Sequence, residues 1–388
     1  MIPGGSLVTV VDARGAAASL GSAIFSDASQ IALRVVAPQS GLTRAGYLEL
    51  VRERVLAAVR LRAELAPESA ANNACRVLFS EADGLPGIVA DRYNQMILLQ
   101  LLAQGTARED VRRVVAETLA GAVEGVSVIV ERGDPRIREL ERLEASPAEP
   151  LFVREGAEFP VDGALTTVFT INGLRFHYDA SAGQKTGAFL DQRLNYAAAA
   201  RYARGTALDV CTYQGGFALH LAQACERVTG VDASRAALTV ADRNLELNAG
   251  LKAKVDWIEA DAFELLRALE DAGSHASEAR VPEHLYDTIV LDPPAFAKTK
   301  RAAEGALRGY KELNLRAMKL LRAGGTLVTC SCSHHVGLEE FTEVVAAAAS
   351  DAGRRVQVLE VRGAAPDHPA ILTLPETSYL KCLILRVG

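Results

Sequence analysis

Apolar positions recur along this chain with two spacings, and the change between them falls near residue 166. Before it, short runs dominate. Residues 7–11 and 31–36 have strand composition, with turn chemistry at Arg14-Gly15 and Ser26-Asp27. Residues 47–65 place Leu48, Val51, Val55, Val59 and Ala63 at helical spacing and arginines elsewhere on the helix. Residues 76–79 and 96–102 then read as strands around a turn-rich loop at 81–87. A helix over 107–120, a strand over 126–130, and loops at Asp134-Pro135 and 147–150 follow. From 167 to 178 the pattern is a hairpin turning at Asn172-Gly173. Beyond it, strands at 207–210, 227–231, 255–258, 288–291 and 326–329 alternate with longer helical stretches, among them 307–322. That alternation predicts an α/β fold, a mostly parallel sheet with helices on both faces. The boundaries divide the chain into a β region over 1–40, a small α/β domain over 41–165 and a larger α/β domain over 166–388.

Composition narrows the class. The chain has 388 residues, enough for two or three domains, and 49% of them are hydrophobic. No apolar run approaches the ~18 residues that span a bilayer, and residues 1–15 lack a basic region before an apolar core. A cytoplasmic protein without a membrane partner is expected. The six cysteines lack metal-type spacing and read as reduced thiols, with no metal expected. The net charge of −6 opposes indiscriminate nucleic-acid binding but allows a local basic surface.

Candidate chemistry gathers at strand ends in the last domain. Residues 207–217 run from an apolar strand through Asp209 into a Gly215-Gly216 turn and a helix. Ligands of open α/β sheets sit beyond such strand ends. The next two strands also end in acids, Asp232 and Asp261. Asp232 is placed to accept both ribose hydroxyls of an adenosine. Asp261 is placed to accept the adenine amino group, while neighbouring backbone donates to the ring. One such acid is ordinarily a helix cap; three in register point to a nucleoside cofactor. No G-x-G-x-x-G dinucleotide fingerprint is present.

A fourth strand ends at Asp292 in Asp-Pro-Pro-Ala-Phe, where two prolines stiffen the loop. In base methyltransferases a D-P-P-aromatic loop holds a flipped-out base near the methyl donor. Ala295 displaces Phe296 by one position from the arrangement suited to amino-nitrogen chemistry. The strand that follows ends Cys330-Ser331-Cys332-Ser333. A thiolate adding to carbon 6 of cytosine makes carbon 5 enamine-like, and Asp292 can hydrogen-bond ring nitrogen 3. The alternative is a small buried cysteine with only a packing role. Lys298, Lys300, Arg301, Arg308 and Lys311 follow the loop and suit phosphate contacts, or else form a solvated helix face.

At these residues the sequence resembles the large-subunit ribosomal RNA methyltransferase I family. The matching stretches include SQIALRV, SEADGLPGIVADRYNQMILLQLL, GQKTGAFLDQR, DVCTYQGGFALHLA, VTGVDASRAAL, LDPPAFAK, RGYKELN, SCS and DHPAILTLPETSYLK, in order, from about residue 5 to the C-terminus. The resemblance implies a PUA-like RNA-binding region, here truncated to 1–40, a central α/β linker domain and a class I, Rossmann-like methyltransferase domain. It implies S-adenosylmethionine held by Asp209, Tyr213, Gly215, Asp232, Asp261, Ala262, Asp292 and Gln192. It also implies catalysis by Cys332 with Asp292; the RNA substrate is expected at Pro293 and Phe296, with Lys300 and Arg301 on its phosphates. The expected product is 5-methylcytosine in 23S ribosomal RNA. Cys330 is an extra cysteine that two-residue strand periodicity puts on the same side as Cys332, so it stays open as nucleophile. A homodimer stays open too, as do methylation of another base atom, such as a guanine nitrogen, and a non-catalytic RNA- or cofactor-binding role.

Overall fold

A computed structural model of the chain describes residues 2–13, 18–157, 165–180, 188–275, 286–296 and 303–388. They form two compact units, Met1–Leu190 with Pro366–Pro369, and Asp191–Ala365 with Ala370–Gly388.

In the first unit β1 (Leu7–Val11), β2 (Ser19–Phe25) and β3 (Leu33–Ala37) make an antiparallel sheet with β2 central. Helix α1 (Arg44–Leu65) starts where the Thr43 side chain accepts from Gly46 N. A second sheet carries β4 (Ala74–Phe79), β5 (Ile88–Tyr93), β6 (Met96–Leu101), β7 (Val128–Glu131) and β8 (Phe152–Val153) in that order. Val51 and Val55 of α1, Val115 and Leu119 of α2 (Glu109–Ala122), and Ile97 and Ile129 of the sheet share one core, which Ile24 of β2 joins.

Strand β5 falls just after the 81–87 loop and was not expected as a strand. Its run is broken by Asp91-Arg92, yet all six of its residues are buried. The Asp91 charge is answered across the ladder by Arg76 of β4, at 2.7 and 2.9 Å. Helix α3 (Pro135–Leu140) also replaces an expected loop. Asp134 caps it by accepting from Arg136 N and Ile137 N, with proline at the first helical position. The expected hairpin forms as β9 (Thr166–Ile171) and β10 (Leu174–Asp179), and Asn172 (φ 51°) and Gly173 (φ 83°) give the left-handed pair its two-residue turn needs. It packs within the first unit: Tyr93 stacks on Tyr178 with ring centroids 4.2 Å apart.

The second unit is the predicted α/β fold. After α4 (Arg193–Tyr202) come β11 (Thr206–Val210), α5 (Gly216–Leu221), β12 (Arg227–Asp232), α6 (Arg235–Leu247), β13 (Lys254–Glu259) and α7 (Ala262–His275). Then follow β14 (Tyr286–Leu291), α8 (Ala303–Leu320), β15 (Leu321–Ser331), α9 (Leu338–Asp351), β16 (Val356–Arg362) and β17 (Lys381–Val387). The sheet order is β13-β12-β11-β14-β15-β17-β16, parallel except for β17, which is antiparallel to both its neighbours. Strand order reverses between β11 and β14, which opens a crevice beyond their carboxyl ends. Leu266, Leu313, Met318 and Phe341 cover one face with the inward side chains of β11, β14 and β15. Among the described residues no helix is long and apolar enough to cross a membrane.

Candidate active site

Each of the four strands around the switch point delivers an acid at or just beyond its end, and the acids differ in what they do. Asp209, near the end of β11, is fully buried. Its Oδ2 accepts from Thr212 Oγ1 at 2.6 Å and Ala218 N at 2.9 Å. This carboxylate therefore ties down the loop 211–216, and its Oδ1 is buried with no partner among the described residues. The loop is sharply wound, with Cys211 (φ 64°), Tyr213 (φ 53°) and Gly215 (φ 85°) all left-handed. Side chains would not fit at its end. A Cβ on Gly215 would lie 3.0 Å from Trp257, and one on Gly216 2.7 Å from the Tyr196 ring.

Burial pushes the Asp209 carboxyl up to about 7, with Asp232 adding to the rise and the Thr212 and Ala218 hydrogen bonds opposing it. The folded protein thus binds a proton there that the unfolded chain has already lost between about pH 4 and 7. Stability falls as pH rises through that window, by roughly 1 kcal/mol per pH unit from this group. Asp209→Asn removes that dependence, so urea denaturation at pH 5 and pH 8 is expected to show a smaller difference for the variant than for wild type. Equal differences would mean that Asp209 is ionised throughout.

Asp232, at the end of β12, is half-buried, and accepts from Tyr213 N and Ser234 N, both at 2.9 Å. Tyr213 thus enters the site through its backbone. Asp261 is exposed and caps α7: its Oδ1 accepts from Phe263 N and Glu264 N at 2.9 and 3.0 Å. The capping role and a cofactor role are compatible, because Oδ2 of Asp261 has no partner among the described residues. Ala262 begins the same helix. Trp257 of β13 went unnoticed in the sequence. Its ring lies against Gly230 as well as Gly215, and its being the only tryptophan was the available signal.

Asp292 follows β14, and its N donates to Val210 O. Burial pushes its carboxyl up to about 8, and Asp191 and Asp209 push the same way. Gln192, almost fully buried, donates from Nε2 to Asp292 Oδ1 at 3.0 Å and accepts from Asn195 Nδ2 at 2.6 Å. Asn195 in turn accepts from Arg362 Nε at 2.8 Å. Gln192 therefore fixes the orientation of the Asp292 carboxyl.

Alternation at the end of β15 and in the two residues just past it sorts the Cys-Ser-Cys-Ser run. Ser331 and Ser333 are buried and bonded to the Tyr310 hydroxyl of α8, each at 2.9 Å. The cysteines alternate with these serines; burial raises both thiols, and the Asp292 charge adds to the rise in each. Cys330 is fully buried and paired in register with Cys382 of β17. Cys332 is partly exposed, with Sγ 3.8 Å from Pro293 O of the Asp-Pro-Pro loop. Burial pushes its thiol up to about 12, Asp292 and Asp191 add to this, and Lys381 opposes it. Lys381 was not assigned a role from sequence, although a lysine opening the apolar strand β17 is a visible anomaly. It is buried, and Nζ donates to Ser333 O and Tyr379 O, both at 2.7 Å.

Pro293 is buried, and Phe296 packs on Tyr310 and Phe263 with centroids 4.9 and 5.9 Å away. Of the cations after the loop, Lys298, Lys300 and Arg301 lie outside the described residues, as do residues 183–187. Arg308 and Lys311 are engaged by Glu304 and Asp351 at 2.9 and 2.8 Å. Among the described residues no cluster of three or more histidines, cysteines and acids could hold a metal.

The donor set suits S-adenosylmethionine: a carboxylate at the second strand end for a ribose, a side-chain acceptor at the third for adenine, and a tight glycine turn beneath them. Residues 158–386 match the family described as S-adenosylmethionine-dependent methyltransferase. The ribosomal RNA large subunit methyltransferase I of Pseudoalteromonas translucida is 36% identical over 386 residues, covering 99% of this chain and 91% of that protein. Its counterpart in Escherichia coli strain SMS-3-5 is 34% identical over 387 residues, with the same coverage. Among solved structures, a putative SAM-dependent methyltransferase from Streptococcus mutans shares the fold at TM-score 0.78 and 17% identity, over 100% of this chain and 92% of that one. A putative methyltransferase complexed with SAH does so at TM-score 0.77 and 16% identity, with the same coverage. The chain belongs to the ribosomal RNA large subunit methyltransferase I family of S-adenosylmethionine-dependent methyltransferases.

Proposed function

We propose that the protein methylates carbon 5 of a cytosine in large-subunit ribosomal RNA, with Cys332 as nucleophile. The observation that carries this is the placement of a partly exposed thiol against the Asp-Pro-Pro loop, on the Asp292 side of β15. Methylation at a nitrogen has no use for a thiol there. The names of the curated relatives support the RNA class.

S-adenosylmethionine supplies the methyl group when bound; Asp232, Asp261, Ala262 and the Tyr213–Gly215 backbone would hold it. Asp292, whose carboxyl is pushed up to about 8, is mostly protonated at neutral pH and donates a hydrogen bond to ring nitrogen 3. In that form it also no longer opposes ionisation of Cys332. The thiol proton leaves to solvent, the Sγ–C6 bond forms, and electron density moves to carbon 5. After methylation the carbon-5 proton is lost to solvent, its C–H electrons re-form the C5–C6 double bond, the Sγ–C6 bond breaks and the thiolate returns. Lys381, held beside the strand end by two carbonyls, favours the thiolate form.

The deciding experiment is incubation of large-subunit RNA with labelled S-adenosylmethionine, followed by nucleoside analysis. Label in 5-methylcytidine is expected. Label in a methylguanosine would overturn the carbon-5 reading and leave the methyltransferase assignment standing.

A further inference from the structure

Outside the methyltransferase unit, one cavity of about 720 Å³ stands out for its charge. It lies within the first unit, between the start of α2 and the segment after α3. Arg108, Arg112, Arg113, Arg138 and Arg142 all line it.

Two of these arginines are fixed in place. Arg112 Nε donates to Glu131 Oε2 at 2.6 Å, and Arg138 donates to Glu131 Oε1 at 3.1 Å. Glu131 is completely buried, so one carboxylate anchors both guanidinium groups. Three acids, Glu109, Asp110 and Glu144, also line the cavity; Glu144 is exposed and the other two are engaged. Glu109 accepts from Arg112 at 2.7 Å, and Asp110 is clamped by both arms of Arg44. The Arg44 hydrogen bond holds the Asp110 carboxyl below its ordinary range. The other three arginines are exposed. Arg108 reaches only Gly4 O, at 3.1 Å, while the Arg113 and Arg142 guanidinium groups have no partner among the described residues. Solvated arginines on a convex surface would be unremarkable, but these converge on one concavity with room for more than one phosphate.

We propose that this cavity binds consecutive backbone phosphates of the RNA substrate. The inference rests on the RNA reading above and adds a docking site remote in sequence from the catalytic strands. The chain as a whole carries a net charge of −6, so a polyanion must be drawn to a local excess of positive charge. Guanidinium groups offer paired donors that match phosphate oxygens. Contacts of this kind set position and register and leave base choice to the active site.

The test uses the full-length protein and a large-subunit RNA fragment. Binding of wild type and of R113E/R142E is followed between about 50 and 200 mM salt. The variant is expected to bind roughly tenfold or more weakly at the low-salt end, with a log–log salt slope smaller by about 2. R113Q/R142Q is expected to fall in between, and cofactor affinity and thermal midpoint are expected to match wild type in both. An unchanged slope in both variants overturns the cavity as an RNA site while the methyltransferase reading stands. Pyrophosphate binding lost in the variants, with an unchanged RNA slope, also overturns it, in favour of a free-anion site. Wild type that fails to bind the RNA at any salt overturns the RNA reading itself, and this inference with it.

Discussion

Cys332→Ala is expected to abolish methyl transfer to RNA while leaving S-adenosylmethionine affinity unchanged. The reason is chemical: carbon 5 of cytosine is too poor a nucleophile without an adduct at carbon 6. No neighbouring group replaces the thiol, because Cys330 is fully buried against Cys382. Cys330→Ala is therefore expected to keep most of the activity. RNA carrying 5-fluorocytosine at the target makes the adduct visible, since carbon 5 then has no proton to lose and elimination stalls. A denaturant-resistant protein–RNA complex should accumulate with wild type and Cys330→Ala and be missing with Cys332→Ala. Its dependence on Cys330 instead would move the nucleophile by two residues. Normal methylation by both variants, with no adduct, would remove the thiol from the mechanism.

Asp232→Ala is expected to weaken S-adenosylmethionine binding by roughly 100-fold or more. A hydrogen bond to a charged acceptor is worth roughly 1.5–3 kcal/mol, and a ribose presents two hydroxyls. The same carboxylate accepts from Tyr213 N and Ser234 N, so its loss also loosens the left-handed loop 211–216. Asp261→Ala is the milder counterpart, since Asp261 is exposed and one of its oxygens is occupied capping α7. Calorimetry separates the two. Unchanged affinity in Asp232→Ala would take Asp232 out of the ribose role.

Much of this was legible in the sequence. The strand–helix alternation after residue 193, the hairpin turn at Asn172-Gly173 and the acids at successive strand ends all follow from side-chain period and turn chemistry, which are local. So does the shared face of Cys330 and Cys332, because strand alternation is fixed by the backbone. What sequence left open depends on partners distant along the chain. Strand β5 hides its Asp91 charge against Arg76, and no single-strand pattern reveals that a buried charge will be answered across a ladder. Asp209, one acid among several by sequence, turns inward to hold its own loop, while Asp232 keeps to the half-buried end of the next strand. The two cysteines are equivalent by periodicity and unequal in the fold, because β17 covers one and leaves the other beside Pro293. Lys381 acquires meaning only when β17 brings it to these strand ends, and the bond from Gln192, a cofactor candidate by sequence, to Asp292 needs the start of α4 beside β14. Local rules determined which elements form and which way side chains point; only tertiary packing decided which of those side chains lost their water, and with it which could take part in the chemistry.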